Sequence, residues 1–115
     1  SSATRATETL DFLEIGAERD LRSITLVLDA LYGCSFDSLI QIIEEHGSYG
    51  DLMIIGHNPS LEQFLLWCLE DSKMLSCYQK VFPTGAIYEL EISPNLGKVR
   101  RSSARLQNYM RPKLI

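Results

Sequence analysis

The segment LMIIGHNPSLEQFLL, residues 52–66, passes from a strand pattern to a helix pattern with only four residues between them. Residues 52–55 form an apolar run without alternation, which predicts a strand covered on both faces, as in a parallel sheet. After Pro59 the apolar side chains recur at helical spacing, at Leu61, Phe64, Leu65 and Leu69. A strand that leads directly into a helix is typical of layered α/β folds. This junction therefore restricts the fold class more than any other part of the chain.

Helical spacing also predicts two earlier helices. The first covers residues 4–15, with Ala6, Leu10 and Leu13 on its apolar face. The second has the apolar face Phe36, Leu39, Ile40 and Ile43, and Gly47 is its predicted C-cap. The candidate N-caps are Ser1, Ser2 or Thr4 for the first helix and Ser35 or Asp37 for the second.

The start of the third helix has two alternatives. With Asn58 as N-cap, Pro59 takes the first helical position, where its missing N–H does no harm. With Ser60 as N-cap, Gln63 completes a capping box. Both alternatives place His57 just outside the helix.

The predicted strands complete an α/β pattern. Their residues are 23–28, 51–56, 86–92 and, after the turn PNLG, 98–102. The order helix, strand, helix, strand, helix, strand, strand predicts an α/β layered fold in a single domain, residues 1–115.

Composition excludes several classes of protein. The chain is 45% hydrophobic and 23% charged, which is typical of a globular domain. A net charge of −4 gives no basis for broad binding to nucleic acid or to an anionic membrane. Apolar runs stay well short of the roughly 20 residues that span a bilayer. The locally basic tail is interpreted as a solvated edge, with partner binding as the alternative: Lys98, Arg100, Arg101, Arg105, Arg111 and Lys113.

The cysteines and histidines exclude other kinds of site. Cys34, Cys68 and Cys77 are odd in number and show no CxxC spacing, which argues against a disulfide framework or a zinc site. Cys68 lies in the apolar run FLLWCL and is predicted to be a core residue. Reduced thiols fit a cytoplasmic protein. Two histidines without a ligand cluster do not predict a metal site, and the missing Gly-x-Ser-x-Gly argues against a serine hydrolase.

His57 is the first candidate site residue. It lies at the carboxyl end of a predicted strand, where ligands bind in open α/β sheets. Gly56 would let the backbone turn and approach a ligand closely. The helix that follows offers free N–H groups and a dipole that favour an anion. The alternative is that His57 only packs against or caps the end of the strand.

Arg5 is the second candidate. A cation in the first turn of a helix opposes the helix dipole, at a cost of about 0.3–1 kcal/mol. A bound phosphate would reverse this conflict, because Arg5 could pair with it bidentately while Ser1, Ser2 and backbone N–H groups add donors. The alternative is a surface arginine paired with Glu8 or Glu18.

These residues carry a resemblance to a known family. SSATRATETL resembles the Ser-x-x-x-Arg-Ala-x-x-Thr segment of the histidine phosphatase superfamily, and GHNP resembles its second histidine motif. DALYG, before the second helix, and FPTGAIYELEI, near the end, are similar to the corresponding segments of the small SixA-type phosphohistidine phosphatases. The similarity covers nearly the whole chain.

The resemblance implies a phosphoglycerate mutase-like fold, a three-layer α/β/α sandwich with a mostly parallel sheet. Members bind a phosphoryl group with two arginines and two histidines. Carried over, Arg5 would clamp the phosphoryl oxygens and His57 would donate to them. Ser2, Thr84 and Gly85 would complete the phosphate site. The family uses neither a metal nor a cofactor.

The family's nucleophile belongs to an Arg-His-Gly motif that this sequence lacks. The nearest string, Glu45-His46-Gly47, has Glu in place of Arg and ends a predicted helix. His46 is therefore expected to be a favourable charge near that helix end, not a catalytic residue. The family layout predicts that the nucleophile and two strands lie upstream, in a longer protein of which this chain is the C-terminal portion. The alternative is that a second copy of the chain supplies the strands.

For that complete protein the resemblance implies a phosphatase that acts on protein phosphohistidine through a phosphohistidine intermediate of its own. Its partner would be a phosphorylated protein, such as a phosphotransfer domain; nucleic acid and membrane are not expected partners. One alternative is a related phosphatase of small phosphate esters. Another is a phosphate-binding module without catalysis.

Overall fold

The computed structural model describes residues 1–75, 80–92 and 95–111. Within these residues the chain mixes helices with an antiparallel strand pair, so the α/β prediction is confirmed at that level. The elements are α1 (Thr4–Ala17), α2 (Phe36–Glu45), α3 (Ser60–Cys68), β1 (Ile87–Ile92) and β2 (Ala104–Met110). Short 3-10 turns cover Arg22–Ile24, Asp29–Leu31, Gly47–Tyr49 and Lys73–Leu75.

Helix α1 forms over the predicted residues and extends to Ala17. Ala6 and Leu10 are buried, as their spacing predicts. None of the predicted N-caps is correct, because the N-cap is Ala3, without a side-chain cap. The Ser1 hydroxyl instead accepts a hydrogen bond from the Ala3 N–H at 3.2 Å, before the helix begins.

Helix α2 begins as predicted, with the Ser35 hydroxyl accepting a hydrogen bond from the Ser38 N–H at 3.2 Å. The predicted C-cap is wrong, because the helix ends at Glu45 and His46 occupies the cap position. Gly47 meets a different constraint. A Cβ at Gly47 would lie 2.6 Å from the Gly97 Cα, so the glycine allows the loop between β1 and β2 to lie against the end of α2.

Helix α3 begins at Ser60 with Pro59 as its N-cap, so neither predicted start is correct. The Ser60 hydroxyl donates to the His57 carbonyl oxygen at 3.1 Å and so does not form the capping box. The Asn58 side chain nevertheless accepts a hydrogen bond from the Glu62 N–H at 3.2 Å. Asn58 therefore satisfies one free donor of the helix from outside it.

Strand β1 matches the prediction for residues 86–92 to within one residue and pairs antiparallel with β2. The partner strand predicted over residues 98–102 is wrong, because β2 begins only at Ala104. Ser102 has a φ of 55°, a left-handed conformation that cannot continue a strand.

The three-layer sandwich with a mostly parallel sheet is not formed in the described part of the chain, whose sheet has two antiparallel strands. The segments 23–28 and 51–56, predicted to be strands, are not paired there. A strand needs a neighbour for its N–H and C=O groups, and the described residues supply none for either segment. Apolar side chains on these segments remain exposed: Ile24 (75%), Leu26 (57%), Val27 (53%) and Met53 (64%).

Two apolar clusters hold the helices in place. The first contains the buried residues Leu31, Leu39, Ile43 and Val99, with Leu52, Ile54 and Leu61 packed against it. The second contains Leu65, Leu69, Leu75 and Val81, with Tyr88, Leu90 and Leu106 at its edge. The first cluster thus fixes the segment before His57, and the second fixes α3 against the strand pair.

Cys68 is fully buried, as predicted, and burial raises the pKa of its thiol to about 12 from an ordinary value of 9.0. Because the thiolate is the reactive form, we expect iodoacetamide at pH 8 to modify Cys68 about a thousandfold more slowly in the folded protein than in the unfolded one. Peptide mass spectrometry measures the rates, with the half-buried Cys34 as an internal comparison. Rapid labelling of native Cys68 would contradict this.

Cys77 lies outside the described residues.

The basic tail is partly structured. Residues 104–110 form β2, and Arg105 makes an exposed ion pair with Glu70 at 3.7 Å. Arg100 and Arg101 are exposed, as expected of a solvated edge, and Lys113 lies outside the described residues.

None of the helices over the described ranges combines the length and the apolar character that crossing a bilayer requires.

Candidate functional site

His57 lies where the apolar segment 52–56 ends and α3 is about to begin. Its carbonyl oxygen accepts hydrogen bonds from the Ser60 hydroxyl at 3.1 Å and the Leu61 N–H at 3.4 Å, which fix the junction. Its Nε2 is buried and has no hydrogen-bond partner among the described residues. Buried polar atoms nearly always have a partner, so this nitrogen is suited to a ligand.

Gly56 does not have the conformation that only glycine adopts easily. Its φ is outside the left-handed region, and a Cβ there would meet the Leu61 side chain at an ordinary 3.7 Å. The predicted need for glycine to turn the chain is therefore wrong, because the turn is made by Asn58 and Pro59 instead. Close approach of a ligand to Gly56 remains a prediction.

The beginning of α1 lies against the segment that carries His57. The Ser1 nitrogen donates a hydrogen bond to the Ile55 carbonyl oxygen at 3.0 Å, two residues before His57. The N–H groups of Thr4 and Arg5, in the first turn of α1, have no partner among the described residues. The first turn contains no acidic residue. The end of α1 that carries free donors is therefore tied to the His57 segment.

Arg5 is exposed, and its guanidinium makes no ion pair within residues 1–75, 80–92 and 95–111. The alternative of a pair with Glu8 or Glu18 is therefore not seen. Ser2 is half-buried, and its hydroxyl has no partner in the same residues. No direct contact joins Arg5 to His57 there; the link between their segments is made by Ser1.

Thr84 and Gly85 lie in an exposed turn that is joined to the start of α3. The Ala86 N–H donates to the Pro83 carbonyl oxygen at 3.1 Å, and Gly85 has a φ of 81°, as a type II turn requires at its third position. Just before this turn, the Phe82 carbonyl oxygen accepts a hydrogen bond from the Asn58 side chain at 2.5 Å. The turn is thus anchored to the residue that follows His57.

Sequence reasoning missed two features around His57. Tyr32 presents its ring edge-on to the imidazole, with the ring centroids 6.4 Å apart, and is 67% exposed. Cys34 lies with its sulfur 3.8 Å from the Ser60 hydroxyl. Tyr32 belongs to DALYG, a segment that carries the resemblance but predicts no role for the tyrosine.

The chain between α1 and Tyr32 is short and is held close to α1. The Glu14 carboxylate accepts hydrogen bonds from the Leu21 N–H at 2.7 Å and from the Arg22 Nε at 3.0 Å. The Leu21 N–H, followed by Arg22, holds the pKa of Glu14 below its ordinary value. Arg22 also pairs with Asp11. This segment forms a tight connection, not a domain-sized insertion over the site.

The contacts of His46 involve the end of α2 and not the segments around His57. Its Nδ1 lies 2.7 Å from the Ile42 carbonyl oxygen at the end of α2, and its ring stacks on Tyr49 with the centroids 6.2 Å apart. These contacts give His46 a role at a helix end.

The two segments joined by the bond from Ser1 to Ile55 each carry groups that can bind an anion. The α1 N–H groups and the Arg5 guanidinium, which have no partner among the described residues, and the buried Nε2 of His57 are all of the kind that bind phosphate oxygens. A search of the described chain finds no group of three or more His, Cys, Asp or Glu side chains that could hold a metal ion.

Comparisons of the chain with protein-family models, with curated proteins and with solved structures gave no match.

Proposed function

We propose that the complete protein is a phosphatase of the histidine phosphatase superfamily, of the SixA type, that removes the phosphoryl group from protein phosphohistidine. The observation that carries this proposal is the buried, unpartnered Nε2 of His57. Hydrogen bonds join two of the segments that the motifs assign to a phosphate pocket to residues on either side of His57. Ser1 contacts Ile55 at 3.0 Å, and Asn58 contacts Phe82 at 2.5 Å.

His57 and Arg5 would stabilise the transferring phosphoryl group. His57 donates a hydrogen bond from Nε2 to one oxygen, and Arg5 pairs with others. Donors held in place for a developing charge usually supply the largest catalytic contribution. The tautomer that this requires carries its proton on Nε2.

The nucleophile is the histidine of an upstream Arg-His-Gly motif. Its nitrogen attacks phosphorus while the phosphorus–nitrogen bond of the substrate breaks, and the substrate imidazole leaves as a neutral ring after protonation. Water then attacks phosphorus, releases inorganic phosphate and restores the nucleophile. Covalent catalysis thus divides one difficult step into two. The reaction needs neither a metal nor a cofactor.

In this proposal the upstream residues also complete a mostly parallel sheet in a three-layer α/β/α sandwich. The segments 23–28 and 51–56 support it, because they have no strand partner in the described part of the chain and expose Ile24, Leu26 and Met53. Adding strands would satisfy their backbone groups and cover these side chains. The cytoplasm is the proposed location, where thiols such as Cys34 stay reduced.

The preference for a protein substrate depends on the short segment between α1 and Tyr32. The bonds from Glu14 to Leu21 and Arg22 keep this segment against α1, so the site stays open to a large partner. A phosphoramidate can be protonated before its bond breaks, which makes a strong general acid less necessary.

The test is hydrolysis by the complete protein. We expect phosphate release from a phosphotransfer domain phosphorylated on histidine, and much slower release from small phosphate esters. Faster hydrolysis of small esters would favour the small-molecule alternative. Binding of phosphate without release from either substrate would identify a non-catalytic module.

Replacing Arg5 with alanine tests the clamp. Because a charge-assisted hydrogen bond contributes about 1.5–3 kcal/mol, the inhibition constant for vanadate should rise about tenfold to a hundredfold. Arg19→Ala is the matched control, since Arg19 is also an exposed arginine but follows the other end of α1. Equal inhibition constants for the two variants would contradict the role of Arg5.

A further inference from the structure

The chain before the Thr84–Gly85 turn is held by side chains from two directions. Arg111 donates to the carbonyl oxygens of Lys80 and Val81, at 2.6 Å each. The Tyr88 hydroxyl also donates to the Val81 carbonyl oxygen, at 2.5 Å. Residues 80 and 81 are therefore attached to the strand pair.

The next residue, Phe82, is held by α3 and the residue before Pro59. Its carbonyl oxygen accepts from the Asn58 side chain at 2.5 Å, and its N–H donates to the Glu62 carboxylate at 3.1 Å. Asn58 also accepts from the Glu62 N–H at 3.2 Å, which ties the two residues together. Both main-chain polar groups of Phe82 are thus occupied by residues that lie one and five positions after His57.

The turn that follows Phe82 has hydrogen-bond donors without a partner among the described residues. Neither the Thr84 hydroxyl nor the Gly85 N–H has a hydrogen-bond partner among the described residues. The turn itself is closed by the bond from Ala86 to Pro83. An anchored turn with unused donors is preorganised to bind an anion, because little reorganisation is needed when the ligand arrives.

The carboxylate of Glu62 is negatively charged, and a carboxylate without a hydrogen-bond partner would be unfavourable near a phosphate. In the first turn of α3 it interacts favourably with the helix dipole, and its oxygen is used by the Phe82 N–H. The Glu62 carboxylate therefore has a structural role, as the acceptor for the Phe82 N–H.

We propose that Asn58 and Glu62 are positioning residues, which hold Phe82 so that the Thr84–Gly85 turn donates to the same phosphoryl group as His57. This inference rests on the proposed function and assigns to it two residues that do not touch the ligand themselves. Thr84 and Gly85 supply the donors, and Asn58 and Glu62 fix their position.

The experiment measures inorganic phosphate affinity of the complete protein by calorimetry, for Asn58→Asp, Glu62→Ala and Glu62→Gln. Asn58→Asp replaces the donor to Phe82 with a carboxylate, and Glu62→Ala removes the acceptor, so we expect each to weaken phosphate binding about tenfold. Glu62→Gln keeps an acceptor oxygen and should restore most of the affinity. Gln63→Ala, an exposed neighbour in the same turn, is the control.

Hydrogen exchange at the Phe82 amide gives the second measurement. Exchange should be faster in Glu62→Ala than in Glu62→Gln, with or without phosphate. Thr84→Val, at an exposed position, removes one proposed donor and leaves the Phe82 contacts intact; it should weaken phosphate binding with unchanged exchange.

The outcomes separate the two proposals. If the wild type binds phosphate and Asn58→Asp, Glu62→Ala and Thr84→Val bind it equally well, the positioning inference is wrong and the proposed function stands. If the variants lose only thermal stability, Asn58 and Glu62 are merely structural. If the wild type does not bind phosphate, the proposed function fails and the inference fails with it, even where Phe82 remains protected.

Discussion

His57→Ala in the complete protein should lower kcat by about a hundredfold to a thousandfold, the loss typical of removing one donor to a developing negative charge. The buried Nε2 has no protein partner among the described residues, so the substitution breaks no hydrogen bond of that atom. The fold should therefore survive, and circular dichroism and the unfolding midpoint should change little. Steady-state kinetics with a phosphohistidine protein measures the effect.

His46→Ala is the control for this experiment. It removes the other histidine of the chain, whose ring contacts the Ile42 carbonyl oxygen and Tyr49 at the end of α2. We expect a small loss of stability and an unchanged kcat. A wild-type kcat in His57→Ala, or an equal loss in both variants, would overturn the assignment of His57.

The largest effect on stability should come from Leu39→Ala. Leu39 is 1% exposed in the cluster that also contains Leu31, Ile43 and Val99. Removing a buried leucine side chain and leaving a cavity costs about 2–5 kcal/mol, which is a large part of the stability of a typical domain. Urea denaturation followed by circular dichroism measures the change in the free energy of unfolding.

Ile15→Ala is the matched comparison, because it removes a similar volume of side chain on a helix. Ile15 is 72% exposed, so its replacement should change the free energy of unfolding by less than about 0.5 kcal/mol. If the two variants were equally stable, the cluster around Leu39 would not be the core of the fold.

The helices could be predicted because their signals are local. The apolar spacing and the Ser35 cap of α2 lie within a few residues of one another, and the structure has both. The end of the same helix could not be predicted in this way. Gly47 looked like a C-cap, but its constraint comes from Gly97, fifty residues later.

For the strands, too, the sequence predicts local signals but not contacts between distant residues. The alternation of residues 86–92 predicts β1 well, since one face packs against the second apolar cluster. Residues 23–28 and 51–56 have equally strong strand composition, yet composition cannot supply the neighbouring strand that pairing requires.

The candidate site was predictable only in its separate parts. The sequence indicates Arg5 by its place in the first turn of a helix and His57 by its place between a strand pattern and a helix. Thr84 and Gly85 follow from the resemblance alone. The contacts that join these parts, Ser1 to Ile55 and Asn58 to Phe82, connect residues 54 and 24 positions apart. Spacing along the chain gives no signal for such contacts, so the sequence predicts only a helix cap at Asn58.

The segment TLVL, residues 25–28, also affects how this polypeptide behaves in concentrated solution. Natural sheets protect their outer strands from self-association with lysine, proline or a bulge, and this segment has neither a charge nor a proline. Because the segment has no strand partner among the described residues, two copies of the 115-residue chain are expected to pair there and to begin aggregation. A lysine in place of Leu26, which is 57% exposed, would introduce the kind of gatekeeper that keeps such a chain monomeric during purification.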